Sequence, residues 1–123
     1  DLSSFKKALS KAKRSTVKTA LMDQSLLAGI GNVYSDEIMY QSNIHPSRRV
    51  GQLDEAMMKR LFTKTKHVLR KAIEYRADPR KFPESWITPY RRNRRKFAGC
   101  VGPIESIKVS GRTSYFCPQS QKI

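Results

Sequence analysis

Seven residues in the first third of the chain, Leu26-Leu27-Ala28-Gly29-Ile30-Gly31-Asn32, decide the fold prediction. Glycine ends helices, permits positive φ and lets another molecule approach the backbone closely. Asn32 is a favourable N-cap residue, so a new helix is expected from about Val33. The exposed N–H groups of its first turn, with the Asn32 side-chain amide, can bind a phosphate. The alternative is an ordinary helix–helix turn in which Asn32 is only a cap.

Apolar periodicity predicts further helices on both sides of this turn. We expect helices from Leu2 to about Lys13, from Val17 towards Leu27 with a break near Asp23, from Val33 to about Tyr40, and from about Asp54 to Arg76. Asp36 and Glu37 fall in the first turns of the third helix, where the helix dipole favours acidic side chains. The longest helix has a predicted buried stripe of Met58, Leu61, Phe62, Thr65, Val68, Leu69, Ala72 and Ile73.

The character of the sequence changes after residue 77. Residues 78–104 hold four of the six prolines and the basic run Arg91–Lys96, which predicts an irregular linker. Two strands follow, Glu105–Val109 and Thr113–Cys117, joined by Ser110-Gly111-Arg112 as a hairpin. The predicted fold is therefore mainly α, a bundle of four to five helices followed by a small β-hairpin. The predicted domains are 1–77 (helical), 78–96 (basic linker) and 97–123 (hairpin).

Composition favours a polyanionic partner. The 123 residues include 25 Lys+Arg and 10 Asp+Glu, a formal net charge of +15. Such an excess favours nucleic acid ahead of an anionic membrane surface, and no apolar run approaches the ~20 residues of a spanning helix. Two cysteines cannot build a disulfide framework, so a reducing, intracellular setting is expected. Because the chain starts at Asp1 rather than Met, we expect it to be a piece of a longer protein.

Two motifs carry a family resemblance. The segment KTALMDQ (residues 18–24), followed by GIGNVYSDE (29–37) and His45-Pro46, resembles the helix–two-turns–helix signature of the formamidopyrimidine-DNA glycosylase / endonuclease VIII family. Gly102-Pro103-Ile104 and GRTSYFCP (111–118) resemble the C-terminal zinc-finger hairpin of that family. The resemblance covers nearly all of the chain and implies the C-terminal half of a DNA-repair enzyme.

The resemblance implies roles for individual residues. Asn32 matches the asparagine that contacts phosphates beside the flipped damaged nucleotide, and Gly31 belongs to the same phosphate-binding turn. Arg112 matches the arginine that grips the DNA backbone at the lesion. Lys18 matches a lysine in the first signature helix and is a fourth DNA-binding candidate. The implied partner is double-stranded DNA with damaged or abasic sites, bound by a monomer away from any membrane.

The catalytic residues of the family have no counterpart in this chain. The family uses an N-terminal proline amine as Schiff-base nucleophile and a neighbouring glutamate, whereas this chain begins Asp1-Leu2. An exposed lysine is mostly protonated and a poor substitute nucleophile. The parent protein is therefore expected to be an enzyme, a DNA glycosylase with AP lyase activity, and this chain alone is not.

The zinc site of the family is incomplete here. Cys100 and Cys117 match one member of each of two Cys-x-x-Cys pairs, but Phe97 and Ser120 stand at the other two positions. Structural zinc normally needs four Cys or His ligands, so no cofactor or metal is expected. The hairpin would instead be held by packing of Ile104, Ile107, Val109, Tyr115 and Phe116. A bound metal or a disulfide between the two cysteines is the alternative.

Three questions stay open at the level of sequence. The Arg91–Lys96 run could be a solvated loop or could contact DNA. Trp86 could stack on a base, but anchoring the linker against the helices is the favoured role. The rival function is a non-enzymatic RNA-binding module, such as a ribosomal helix–two-turns–helix protein, which would have no reason to keep a finger-like hairpin.

Overall fold

The computed structural model describes residues 1–23, 30–76, 78, 81–83, 85–90 and 103–122. Across these residues it contains four α-helices followed by one antiparallel β-hairpin. The predicted fold class is confirmed. In this described part, no helix is both long and apolar enough to cross a lipid bilayer.

The first two helices begin at side-chain caps. Helix α1, Leu2–Ser10, is capped by Asp1, whose carboxylate accepts a hydrogen bond from the Ser4 N–H at 2.8 Å. Helix α2, Val17–Met22, is capped by Thr16, whose hydroxyl accepts from the Thr19 N–H at 3.2 Å. Helix α1 ends before the predicted Lys13, and the predicted continuation of α2 lies outside the described residues.

Helices α3, Asn32–Gln41, and α4, Glu55–Glu74, complete the bundle. The N-cap of α3 is Gly31, so the prediction of Asn32 as the cap is wrong by one residue. Gly31 takes the extended cap conformation, which leaves the Asn32 side chain available for another contact. Asp54 caps α4 by accepting from the Met57 N–H at 2.8 Å, close to the predicted start.

A core between the helices buries apolar side chains from all four. The members include Phe5, Leu9, Val17, Ala20, Leu21, Ile30, Ile38, Met39, Ile44, Leu61 and Val68. The predicted inward position of Ile73 is wrong, since its side chain is 79% exposed. In the last turn of α4, Ala72 takes the inward position, and the next residue is rotated by about 100° around the helix axis.

Part of the predicted linker packs against the helices. Phe82 and Trp86 join the helical core, with ring centroids 5.0 Å apart, so the anchoring role of Trp86 is confirmed. A short 3-10 helix follows at Thr88–Tyr90. The carboxylate of Glu37 accepts from the Thr88 N–H at 2.8 Å and from its hydroxyl at 2.6 Å. This segment is therefore tied to α3.

The hairpin pairs strand β1, Glu105–Val109, with strand β2, Arg112–Phe116. Only Ser110 and Gly111 form the turn, and both have positive φ, 50° and 81°. This is the type I′ pattern, whose twist matches that of the strands. The predicted three-residue connection is therefore wrong, because Arg112 already pairs with Val109. Side-chain alternation puts Arg112 on the same face of β2 as Ser114 and Phe116, which are buried.

Candidate nucleic-acid interface

The N-terminus of α3 presents open backbone. Gly31 is exposed, with φ −98° and ψ −176°, and a Cβ added there would meet nothing within 4 Å. Neither backbone strain nor packing within the described residues therefore requires glycine at this position. The first-turn N–H groups have no partner inside the helix and carry partial positive charge. Among the described residues nothing crowds Gly31, so a bulky anion can approach these groups from that side.

Asn32 links this helix end to the hairpin. Its Nδ2 donates to the carbonyl oxygen of Thr113 at 3.2 Å, while its buried Oδ1 has no hydrogen-bond partner within the described residues. A primary amide carries two N–H groups, so one remains for another acceptor. The side chain is thus held by the hairpin and still able to donate to an anion at the start of α3.

Arg112 lies directly before that contact in the chain. The residue is exposed and lines a cleft of about 290 Å³ between α2 and the hairpin turn. Across the cleft, the hydroxyls of Thr19 and Ser110 are 2.9 Å apart and hydrogen-bonded. This bond ties the hairpin turn to α2, so the guanidinium starts from a fixed backbone.

Lys18 has a different environment from Arg112. Its side chain is 1% exposed although it lines the same cleft, and its Nζ lies 2.6 Å from Asp36 Oδ1 and 3.1 Å from Ser35 Oγ. Asp36 is itself fully buried. The positive charge of Lys18 therefore faces a carboxylate inside the protein.

The four predicted DNA-binding residues lie in two neighbouring places. Gly31 and Asn32 share the start of α3, where Asn32 bonds to Thr113, the residue after Arg112. Arg112 itself lines the cleft between α2 and the hairpin turn. Lys18 is adjacent but buried. The Arg91–Lys96 run lies outside the described residues.

The sequence model of the formamidopyrimidine-DNA glycosylase H2TH domain matches residues 1–83. The chain belongs to this family. The formamidopyrimidine-DNA glycosylase of Arabidopsis thaliana is 38% identical over 120 residues, which cover 97% of this chain and 30% of the relative. The enzyme of Streptococcus mutans is 35% identical over 131 residues, with 98% and 48% covered. This chain thus spans less than half the length of these relatives.

Solved structures of the same family agree with the fold. Lactococcus lactis Fpg in complex with DNA containing an abasic site matches the whole of this chain with a TM-score of 0.83 and 30% identity. The match covers 48% of the Lactococcus chain. A second complex of that protein, with DNA containing Fapy-dG, also has a TM-score of 0.83 at 30% identity.

The residues of the hairpin do not fit the zinc of the family finger. Cys117 is disulfide-bonded, so it offers no thiolate to a metal, and Ser120 stands where the second ligand of its pair would be. Within the described ranges, no three His, Cys, Asp or Glu side chains are grouped to hold a metal ion. The disulfide at Cys117 departs from the favoured expectation, in which packing alone holds the hairpin. Cys100 lies outside the described residues.

The two acidic residues of α3 make tertiary contacts that the sequence did not predict. Asp36 and Glu37 are predicted only to interact favourably with the helix dipole. Both are fully buried, and Asp36 contacts the hairpin while Glu37 contacts Thr88. Burial raises the pKa of Glu37, and its hydrogen bonds with Thr88 and Gln41 oppose that rise. Two adjacent acids in a chain of +15 net charge were the available signal.

Proposed function

We propose that this chain is the DNA-binding C-terminal part of a base-excision-repair DNA glycosylase with AP lyase activity. It would grip duplex DNA at a damaged or abasic site. One observation carries the proposal: an open helix N-terminus at Gly31 and Asn32 is joined by a hydrogen bond to the residue that follows the exposed Arg112. Such a surface combines neutral donors and one cation, the usual set for phosphate oxygens.

The three residues would have distinct tasks. The backbone N–H groups after Gly31 would cradle one phosphate, and Asn32 would add its second amide hydrogen. Arg112 would supply a charge-assisted contact to the backbone of the same DNA. Contacts that fix the phosphates set the register of the duplex. They also offset the cost of extruding a nucleotide, on the order of a few kcal/mol.

The relatives support this partner. The Lactococcus lactis protein was solved with abasic-site DNA, and the matched part includes all of this chain. The rival function is an RNA-binding module, which would bind an RNA duplex more tightly than DNA.

Binding to a duplex with a tetrahydrofuran abasic analogue, titrated at several salt concentrations, tests the proposal. Arg112→Ala should cost about 1.5–3 kcal/mol and flatten the salt slope by about one unit. Asn32→Ala should cost about 1 kcal/mol and leave the slope unchanged. Lys108→Ala is the matched control, because it removes the same charge from the outer face of the same hairpin. Equal losses for Lys108 and Arg112, or tighter binding to an RNA duplex, would contradict the proposal.

The glycosylase and lyase chemistry belongs to the longer protein in this proposal. For this chain alone we expect binding without catalysis, because the proline nucleophile and glutamate implied by the family have no counterpart in it. Borohydride trapping on abasic-site DNA should leave no covalent adduct above a lysine background. An intracellular setting follows from the proposed substrate, genomic DNA.

A further inference from the structure

The carboxylate of Asp36 joins three elements of the fold. Its Oδ1 accepts from Lys18 Nζ on α2 and from Ser114 Oγ on β2, both at 2.6 Å. Its Oδ2 accepts from the Tyr115 N–H at 3.0 Å. The Lys18 and Asp36 side chains are 1% and 0% exposed, so this cluster lies inside the protein between the helices and the hairpin.

Stability alone is a weak reason for such a pair. Burying two charges carries a desolvation cost, and well-packed apolar residues of similar volume often stabilise a fold equally well. A buried ion pair can instead fix the relative position of the elements that carry its partners. The ammonium of Lys18 holds one oxygen of Asp36, and both oxygens then meet defined donors on β2. An apolar contact would not define where along the helix the strand must sit.

We propose that Lys18 and Asp36 are positioning residues that fix the hairpin on α3, and that Lys18 acts through Asp36 rather than on a phosphate. The proposal rests on the proposed function, since its consequence is the placement of Arg112. Ser114 and Tyr115 follow Arg112 on one strand, with a rise of about 3.3 Å per residue. A small shift of the Asp36 contacts therefore moves Arg112 relative to the start of α3.

Direct phosphate binding by Lys18 makes the opposite prediction for Asp36→Asn. That variant removes a negative charge, so simple electrostatics would raise the affinity for DNA. The positioning role predicts a lower affinity for DNA, because β2 loses contacts that fix its position on α3.

The experiment is a double-mutant cycle on the whole chain, with the tetrahydrofuran duplex as probe. Ser114→Ala, which removes one hydroxyl and no charge, should lower the affinity about fivefold, the usual effect of one hydrogen bond. In an Arg112→Ala background the same change should have no further effect. Lys18→Met should likewise lower the affinity in the wild-type background and have no further effect in the Arg112→Ala background. It should not flatten the salt slope more than Arg112→Ala does. Asp36→Asn should lower the affinity despite its added positive charge.

Ser42→Ala is the matched control. Its hydroxyl is equally buried at the other end of α3, where it donates to the Ile38 carbonyl oxygen at 2.7 Å. It should lower the melting temperature and leave DNA affinity unchanged. Because Lys18→Met and Asp36→Asn leave an unpaired buried charge and can unfold the chain, Ser114→Ala decides the matter if they do.

Hydrogen exchange at the Tyr115 amide separates this proposal from the proposed function. Ser114→Ala should speed exchange there and leave α4 unchanged. Unchanged Tyr115 exchange, a rise in affinity for Asp36→Asn, or an additive loss for Lys18→Met with Arg112→Ala would overturn the positioning role. A silent Arg112→Ala would overturn the proposed function instead, while the exchange result still decides how the hairpin is held.

Discussion

The helices and the hairpin are stabilised in different ways. The helices share a large apolar core to which α1, α2, α3 and α4 all contribute. The hairpin contributes a small apolar group, Ile104 and Cys117 packed with Ile87. Its other attachments include the packing of Phe116 on His45 and several hydrogen bonds: Ser110 on Thr19, Ser114 and Tyr115 on Asp36, Thr113 on Asn32, and Gln121 on Ile44.

This difference has a mechanical consequence. Apolar burial is non-directional and tolerates small shifts, whereas hydrogen bonds to buried groups are lost within a fraction of an ångström. The helical part should therefore set global stability, and the polar contacts should set the position of Arg112. Substitutions in the core and at the polar contacts separate the two effects.

The largest effect is expected inside the helical core. Leu61 on α4 is fully buried, so Leu61→Ala should lower the free energy of unfolding by about 2–5 kcal/mol. Urea denaturation followed by circular dichroism measures it, and the hairpin should unfold in the same transition. Ile73→Ala, on the same helix but 79% exposed, should change stability by less than about 0.5 kcal/mol. Comparable losses for the two variants would show that the core lies elsewhere.

A smaller and local effect is expected at Gln121. Its Oε1 accepts from the Cys117 N–H at 2.8 Å, and its Nε2 donates to the Ile44 carbonyl oxygen at 2.9 Å. Gln121→Ala leaves both backbone groups without this partner, at about 1–3 kcal/mol for an unsatisfied buried group. Hydrogen exchange should quicken in β2 and stay slow in α4.

Gln119→Ala serves as the control for Gln121, since Gln119 is exposed two residues away. It should leave exchange in both regions as it was. Faster exchange in α4 on Gln121→Ala would mean that the hairpin and the helices open as one unit.

The hairpin turn should respond less. Gly111 has φ +81°, and a Cβ there would meet open space, so the cost of Gly111→Ala is backbone strain alone. We expect about 1–2 kcal/mol, again confined to the hairpin. Ser110→Asn removes the exposed hydrogen bond to Thr19 but introduces a residue that is favoured in type I′ turns, so it should cost less than Gly111→Ala. If Gly111→Ala is neutral, the turn is not of this type in solution.

Patterns among neighbouring residues predicted secondary-structure elements better than they predicted tertiary contacts. The apolar period of α4 and its start near Asp54 are properties of neighbouring residues, and both agree with the predictions except at Ile73. The predicted turn includes Arg112 because the sequence does not distinguish a Ser-Gly turn from a Ser-Gly-Arg turn until the strand pairing is known. Asp36 looked like a dipole-stabilising acid because its partners Ser114 and Tyr115 are far away in sequence. Ile73 continued the apolar period, but the period does not say where packing stops.

The smallest expected effect is a pH dependence of the stability with which the hairpin packs on the helices. His45 packs edge-on against Phe116, with ring centroids 4.7 Å apart, and its Nδ1 accepts from the Ser47 N–H at 3.0 Å. Burial, and then the nearby Arg48 charge, lower the pKa of His45 in the folded state. The folded protein therefore binds this proton less readily than the unfolded chain does. The stabilisation that depends on a neutral His45 is fully present above about pH 6.5, the pKa of histidine in the unfolded chain. It is lost as the pH falls through the lower pKa of His45 in the folded state.

Between pH 7.5 and 5, the wild-type chain should lose stability that a His45→Asn variant keeps, because Asn can accept from the same N–H without titrating. Burial also lowers the pKa of His67, so His67→Asn controls for a contribution of the same sign. The raised pKa of Glu37 acts in the opposite direction, and it cancels when each variant is compared with wild type at the same pH. Hydrogen exchange in β2 at both pH values locates the effect. Exchange that quickens in α4 instead, or a His67→Asn variant that alone abolishes the pH dependence, would place the sensitive proton in the helices rather than at the hairpin.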